Sequence, residues 1–287
     1  MLVAVCSLKG SPGVTTFSVA LAARWPVPSR CVLVECDPSG GDVATRFGLV
    51  SSPGLVSLAA AARRSGDPGL LWRHTQALPG DLAVVVAPPG ADQALAALTA
   101  LAPEGSGGAG VLRVAAEATD TVVIADCGRV DPTSPVLPIV RSADVMLLLS
   151  RAHADDLAHL ATRLSEVSRW SSRPGLLLAG AGYSAAEVSR ELGVSVMGRI
   201  PEDPHAAAVL CGRHGGRGEP SRSPLGHSAI TIARALLSPQ RSSAPVGQPV
   251  PVQRAAPAGA GHSVTANEAP LPTVLAPDVM SRNGSRP

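Results

Sequence analysis

Short apolar runs with β-branched residues recur along the first 237 residues. They lie at Leu2–Cys6, Cys31–Val34, Leu82–Ala87, Thr121–Ala125, Asp144–Leu149, Gly175–Ala179 and Val194–Ile200. Each is about 4–7 residues long and carries β-branched residues, which suits strands covered on both faces in a parallel sheet. Helical periodicity fills the gaps. Thr15–Arg24 follows the first run, and Leu157, Leu160, Leu164 and Val167 form one apolar stripe that predicts a helix over Ala154–Trp170. Ser184-Ala-Ala-Glu187 has the form of a capping box, with Gly193 as its stop signal. Ser228–Leu237 predicts a last helix. The repeated order of strand and helix predicts an α/β fold: a mainly parallel sheet, helices on both faces, right-handed crossovers. In such sheets the functional residues gather at the carboxyl ends of the strands.

Past Leu237 the pattern stops. Residues 238–287 are rich in Pro, Ala, Gly and Ser and show neither period, so the expected organisation is one α/β domain over 1–237 and a disordered tail over 238–287. The charge balance follows the same division. The chain's net charge of +2 is carried by Arg241, Arg254, Arg282 and Arg286 of the tail against Glu268 and Asp278, which leaves the globular part neutral. A neutral globule argues against a strong duplex-DNA face. Aromatic residues are 2% of the chain, too few for a base-stacking platform. No apolar stretch approaches the roughly 18 residues of a membrane span, and Met1–Cys6 lacks the charged segment of a secretory leader. Five scattered cysteines suit a reducing cytosol. The expected location is therefore cytoplasmic.

One residue stands apart. The chain has 23 arginines and a single lysine, Lys9. An ammonium is a compact point charge where a guanidinium is a broad planar fork, so its position matters. Lys9 lies in Ser7-Leu-Lys-Gly-Ser-Pro-Gly-Val-Thr-Thr16, a glycine-containing turn between the first strand and the first helix. Backbone N–H groups in such a turn converge on an anion, and the helix dipole reinforces them. The usual phosphate-loop pattern, G-x-x-x-x-G-K-[ST], fails twice, because Leu8 replaces the first glycine and Val14 the lysine. On this turn alone, a plain strand–turn–helix explains the residues equally well. Two more stations lie on the same sheet. Cys31-Val-Leu-Val-Glu-Cys-Asp37 ends a strand with acids, which read either as a site for a phosphate-bound metal and an attacking water or as a solvated turn that caps the next helix through Asp42. Thr121-Val-Val-Ile-Ala-Asp126-Cys-Gly128 has the form of a Walker B strand.

Lys9-Gly-Ser-Pro-Gly-Val-Thr-Thr16 resembles the deviant phosphate loop K-G-G-x-G-K-[ST]-[ST] of the ParA/MinD ATPases, with Ser11 and Val14 as the departures. The resemblance extends over about residues 1–237. Glu35 and Asp37 match the family's D-x-D-P segment with the first Asp replaced, and Gly198-Arg-Ile-Pro-Glu-Asp203 is similar to its adenine-side segment. The resemblance implies ATP and Mg²⁺ as cofactors and a face-to-face homodimer. It implies that Lys9, Gly10, Ser11, Pro12, Gly13, Val14, Thr15 and Thr16 hold the phosphates, and that Pro201 and Asp203 flank the base. It implies Lys9 and Asp37 as the catalytic groups, Lys9 reaching the partner's phosphates and Asp37 orienting the attacking water. It implies Thr15 as a Mg²⁺ ligand, with Asp126 binding the metal through water. The family's adenine-reading Asn-Arg is absent, since that strand ends Leu178-Ala-Gly-Ala-Gly-Tyr183. Pro38-Ser-Gly-Gly-Asp-Val-Ala44 resembles the members that position pilus or secretion machinery. The implied function is a nucleotide-dependent dimeric spatial organiser for chromosome partitioning, division-site selection or surface-machine positioning, with an unidentified protein partner. Because valine cannot clamp phosphate, hydrolysis is expected to be weak or absent; the alternative is a non-catalytic scaffold that binds a protein partner through a degenerate ATPase fold.

The resemblance also brings DNA and the inner face of the plasma membrane as partners. Arg213, Arg217 and Arg222 in the Gly212–Pro224 segment read as DNA or partner contacts, or as a solvated loop. The last helix carries Arg234 as its one charge, which is poor for a membrane-surface helix. Cys6, Cys36 and Cys127 fall near the phosphate loop but lack metal-ligand spacing, so they read as packing residues. No pair of the seven histidines has metal spacing.

Overall fold

Side chains along the first strand alternate between two dry layers: Leu2, Ala4 and Cys6 enter one, Val3 and Val5 the other. Burial on both faces is what an unbroken apolar run encodes. The computed structural model describes residues 1–101, 110–213 and 222–238. Among these residues the strands are β1 (Leu2–Ser7), β2 (Arg30–Glu35), β3 (Gln76–Leu78), β4 (Leu82–Val85), β5 (Thr121–Arg129), β6 (Val145–Arg151), β7 (Pro174–Ala179) and β8 (Val196–Ile200). They form one sheet in the order β3-β4-β2-β5-β1-β6-β7-β8. Only the β3–β4 pair is antiparallel.

The helices are α1 (Val14–Ala23), α2 (Val43–Phe47), α3 (Leu55–Ala62), α4 (Leu70–Arg73), α5 (Ala91–Leu101), α6 (Val111–Ala116), α7 (Leu137–Ser142), α8 (Ala154–Val167), α9 (Ala185–Leu192), α10 (Pro204–Leu210) and α11 (Pro224–Leu237). Apolar residues of α1, α2, α10 and α11 share the layer with Val3 and Val5, and those of α3 to α9 share the layer with Leu2 and Ala4. Phe17, 1% exposed, anchors the first turns of α1 against the sheet. Truncating a buried phenylalanine costs about 3–5 kcal/mol, so this ring fixes the helix that carries the phosphate-loop candidate. No helix of the described residues is long and apolar enough to cross a membrane.

Most sequence expectations recur, with shifted boundaries. The capping box at α9 forms as read: Ser184 Oγ accepts from Glu187 N, Glu187 Oε2 accepts from Ser184 N at 2.8 Å, and Gly193 closes the helix in the left-handed region. The stripe on α8 is buried at Leu157, Leu160 and Val167, but the helix stops at Val167, not Trp170. The last helix starts four residues before Ser228, because Ser223 caps it and Pro224 occupies its first turn. The tail from 239 onward and Arg217 lie outside the described residues.

A second correction concerns Asp42. It occupies the N-cap position of α2, yet its side chain makes no capping bond and pairs instead with Arg46 at 2.9 Å. The cap comes from Glu35, 1% exposed at the end of β2. Its Oε1 accepts from Asp42 N and Val43 N, both at 2.9 Å, and its Oε2 accepts from Ala87 N at 2.9 Å. Burial pushes this carboxyl's pKa up, and the three N–H bonds pull the other way. One carboxylate thus ties β2 to the chain leaving β4 and to the start of α2. Gly41 is part of the same arrangement, since a Cβ there would stand 2.6 Å from Glu35 Oε2. Glu35→Gln puts an amide donor where a second acceptor is needed. It should destabilise the protein by about 1–3 kcal/mol, read as a lowered urea midpoint; an unchanged midpoint would show that Glu35 does not hold this junction.

Candidate functional site

β5, β1 and β2 are neighbours in the sheet and run parallel, so their carboxyl ends open on one edge. From β1 the chain turns through 8–13 into α1. Gly10 (φ 66°) and Gly13 (φ 91°) hold the left-handed backbone that this turn requires and that residues with a Cβ rarely adopt. Gly13 is the N-cap of α1, with no side-chain capping bond and no acid in the first turn. The helix therefore presents N–H groups and the positive end of its dipole without a side chain to satisfy them. Lys9, Gly10 and Ser11 are exposed, and Pro12, Gly13, Thr15 and Thr16 are half-buried. Val14 turns inward instead. It is 7% exposed and packs in the same aliphatic layer as Phe17.

Opposite the turn, Asp126 lies within the long buried stretch of β5 and is 1% exposed. The Thr15 hydroxyl donates to it, and Gly128 N donates to its Oδ1 at 3.3 Å. These bonds do not offset the environment. Burial, with the charges of Glu35 and Asp37, pushes the Asp126 pKa up to about 7. The β1–β5 register slips between Val5 and Ser7, and Gly128 takes a left-handed φ of 57° at the slip. A Cβ at Gly128 would collide with the Asp37 carboxylate, so the glycine lets the two acids close in. Asp37 Oδ1 accepts from Ser39 N at 2.8 Å. Burial raises the Asp37 pKa, Ser39 opposes the rise, and Arg129 lies within electrostatic reach.

The structure therefore brings Thr15, Asp37 and Asp126 together beside the open end of α1. Three carboxylates, counting Glu35, meet Arg129 as the cation that bears on Asp37. Such a group can accept a divalent cation, because Mg²⁺ takes oxygen donors and keeps several waters. A hydroxyl and two carboxylates, one with a pKa far above the ordinary range, fit that ion. Lys9 points elsewhere in this state. Its Nζ lies 3.2 Å from Asp155 Oδ2 on α8, and both side chains are exposed. An exposed pair of this kind contributes about 0–1 kcal/mol, so it is easily exchanged.

Asp203 and Pro201, the expected base-side residues, lie just past β8. Asp203 Oδ1 accepts from Ala206 N at 3.0 Å, capping α10, and its Oδ2 accepts from Leu225 N at 3.2 Å. Burial opposes its ionisation, but these bonds outweigh it and lower the pKa. Pro201 lines an open groove of about 410 Å³ with Met197, Arg199 and His227, between β8 and α11. Arg199 donates to the carbonyls of Gly180 and Tyr183 and so holds the loop where the family's adenine-reading residue is missing. Thr16 Oγ1 lies 4.0 Å from Cys211 Sγ, which joins the end of α10 to the turn. Cys6, Cys36 and Cys127 are fully buried, and burial raises their thiol pKa values, that of Cys6 to about 12. They are inert packing residues. The sequence reading missed Glu35 as a structural carboxylate, Arg129 beside Asp37, and Asp155 as the partner of Lys9. Only Arg129 carried a signal, being three residues past Asp126.

No protein-family model matches the sequence, and no curated protein matches it. Solved structures do. A ParA family ATPase from Chlorobium tepidum superposes with a TM-score of 0.63 at 16% identity, covering 81% of this chain and 98% of that one. The septum site-determining protein MinD complexed with Mg-ADP, from Pyrococcus horikoshii, gives 0.59 at 17% identity, with 82% and 95% covered. The ATP complex of an aspartate-to-alanine variant of McdA from Cyanothece gives 0.59 at 16% identity, with 83% and 97% covered. Sheet order, the turn before α1 and the acids at the ends of β2 and β5 lead to one conclusion: the chain has the fold of the ParA/MinD P-loop ATPases.

Proposed function

We propose that the chain binds a purine nucleoside triphosphate with Mg²⁺ at the 9–16 turn and acts as a ParA/MinD-like spatial organiser that dimerises face to face. The observation that carries this reading is the N-terminus of α1, free of any side-chain cap and carrying Thr15, beside Asp126 and Asp37. Phosphate oxygens would take backbone N–H groups between Gly10 and Thr16, Pro12 having none, and these need no side chain to bind. Thr15, and Asp126 through water, would hold Mg²⁺, which would screen the phosphate charge from the carboxylates and stabilise charge in phosphoryl transfer. Asp37 would orient the attacking water. Lys9 would leave Asp155 and reach the phosphates of the second protomer. Pro201 would flank the base, and Asp203 would fix the segment that carries it through its bonds to α10 and α11. Neighbouring folds solved with Mg-ADP and with ATP support the choice of ligand.

Val14 sets the catalytic expectation. A buried valine offers no cation to the bridging phosphate oxygens. Losing one such electrostatic clamp costs about 2.7–4 kcal/mol of barrier, or roughly 10²–10³ in rate. The site is thus read as one that binds nucleotide and turns it over slowly or not at all. The second reading, a non-catalytic scaffold for a protein partner, is favoured by the same residue, because Val14 has joined the aliphatic layer. We place the protein in the cytoplasm, with its five thiols free and with any membrane contact peripheral. The 1–237 domain would carry the site.

Two experiments test these statements. Calorimetric titration with a non-hydrolysable ATP analogue should give binding that requires Mg²⁺ and weakens at least about tenfold in Asp126→Asn. Absence of heat from the wild-type protein in Mg²⁺ would remove the nucleotide reading. In phosphate-release assays the wild-type rate should lie near background, and Val14→Lys should raise it by about 10²–10³, with Asp37→Ala cancelling the gain. Wild-type turnover that is brisk and abolished by Asp37→Ala would show that the missing lysine has been replaced functionally and would exclude the scaffold.

A further inference from the structure

Arg129 is the last residue of β5 and the one exposed residue of that strand. The β1–β5 register sets it opposite Ser7, and Val130 N donates to Ser7 O at 2.9 Å. Its backbone is therefore fixed beside the residue that opens the 8–13 turn. Its neighbour Gly128 lacks the Cβ that would collide with the Asp37 carboxylate, so Arg129 is rooted next to both the turn and that acid. Among the described residues its guanidinium makes no hydrogen bond and no ion pair. Exposed arginines need no partner in general; this one is set apart by acids that lie close and have turned to other donors. Asp131 Oδ1 accepts from Thr133 N at 2.9 Å and from Thr133 Oγ1 at 2.7 Å, and Asp37 Oδ1 accepts from Ser39 N at 2.8 Å. Arg129 acts on both acids through space, and at Asp37 it opposes the effect of burial.

We propose that Arg129 contacts the terminal phosphate of a bound nucleoside triphosphate and makes the site favour triphosphate over diphosphate. This role rests on the nucleotide reading of the 9–16 turn. Backbone N–H groups at the start of α1 would hold the inner phosphates, which leaves the outermost one toward the acids at the ends of β2 and β5. There its charge meets Asp37 and Asp126, and a divalent ion offsets only part of the repulsion. Val14 adds no cation from α1. The planar guanidinium fork suits the oxygens of a phosphate, and no other contact among the described residues has to be broken to bring it there. A diphosphate ends short of this point and would not gain the contact. Because the cation comes from β5 and not from α1, it would add affinity for the terminal phosphate without restoring the clamp on the bridging oxygens, so slow turnover remains the expectation.

Calorimetric titrations of the full-length protein in Mg²⁺, with a non-hydrolysable ATP analogue and with ADP, test this role. The wild-type protein should bind the analogue more tightly than ADP. Arg129→Ala should weaken analogue binding by about tenfold or more, the loss expected of one charged hydrogen bond, and leave ADP binding within about twofold. Retained ADP binding also shows that the variant is folded. A wild type that binds both nucleotides alike, or a preference unchanged in Arg129→Ala, would overturn the role of Arg129 and leave the nucleotide site standing. Equal losses for both nucleotides in a variant whose circular dichroism is unchanged would overturn it as well, since the residue would then support the turn as a whole. A wild type that binds neither nucleotide would remove the nucleotide reading and this role with it.

Discussion

Asp126 is a carboxylate almost wholly removed from water, with one hydroxyl and one long amide contact in return. The rest of the candidate site is arranged around that imbalance. The hydroxyl is that of Thr15, so the charge fixes the start of α1 over the end of β5. The amide belongs to Gly128, whose left-handed backbone bends the chain and makes room for Asp37. Glu35 adds a third negative group, but its lone pairs are already committed to three backbone N–H groups. Glu35 therefore builds the junction, while Asp126 and Asp37 retain capacity for a ligand. Burial raises all three pKa values, as expected of acids gathered where a divalent cation would relieve them.

The sheet was legible because parallel strands buried on both faces are written as short aliphatic runs, and seven of the eight strands carried a short apolar run, although that of the edge strand β8 is broken by Gly198 and Arg199 and only half-buried. β3 did not. It is a three-residue edge strand, Gln76–Leu78, held by antiparallel pairing to β4 and by Gln76 Nε2 bonds to the carbonyls of Val50 and Pro53. Nothing in its composition separates it from a loop. The phosphate-loop turn was readable from two glycines and a lysine, since left-handed backbone leaves a residue signature. Partnerships across the fold leave none. The Glu35 bonds to Ala87, the Lys9–Asp155 pair and the Asp203 bond to Leu225 join residues 52, 146 and 22 positions apart. Asp42 shows the corresponding error: the residue type and position suit a cap, but a better-placed buried acid took the bonds.

Lys9 and Val14 give the site its particular character. The lysine that would ordinarily be fixed on phosphate is absent, and the remaining one rests in an exposed ion pair worth little energy. A tether this weak holds Lys9 at Asp155 only loosely. Val14 meanwhile contributes its methyl groups to the layer that holds α1. On the proposed reading, the turn keeps its backbone cradle and metal-side acids and has lost one electrostatic clamp, which separates nucleotide binding from fast hydrolysis.

The central claim is spatial: phosphate, divalent ion and acids meet at the start of α1. A crystal structure of the protein grown with Mg²⁺ and a non-hydrolysable ATP analogue tests it most directly. The account predicts phosphate oxygens against the backbone N–H groups between Gly10 and Thr16, with the metal between Thr15 and the water shell of Asp126. Triphosphate density elsewhere on the surface, with Thr15 still bonded directly to Asp126, would contradict it.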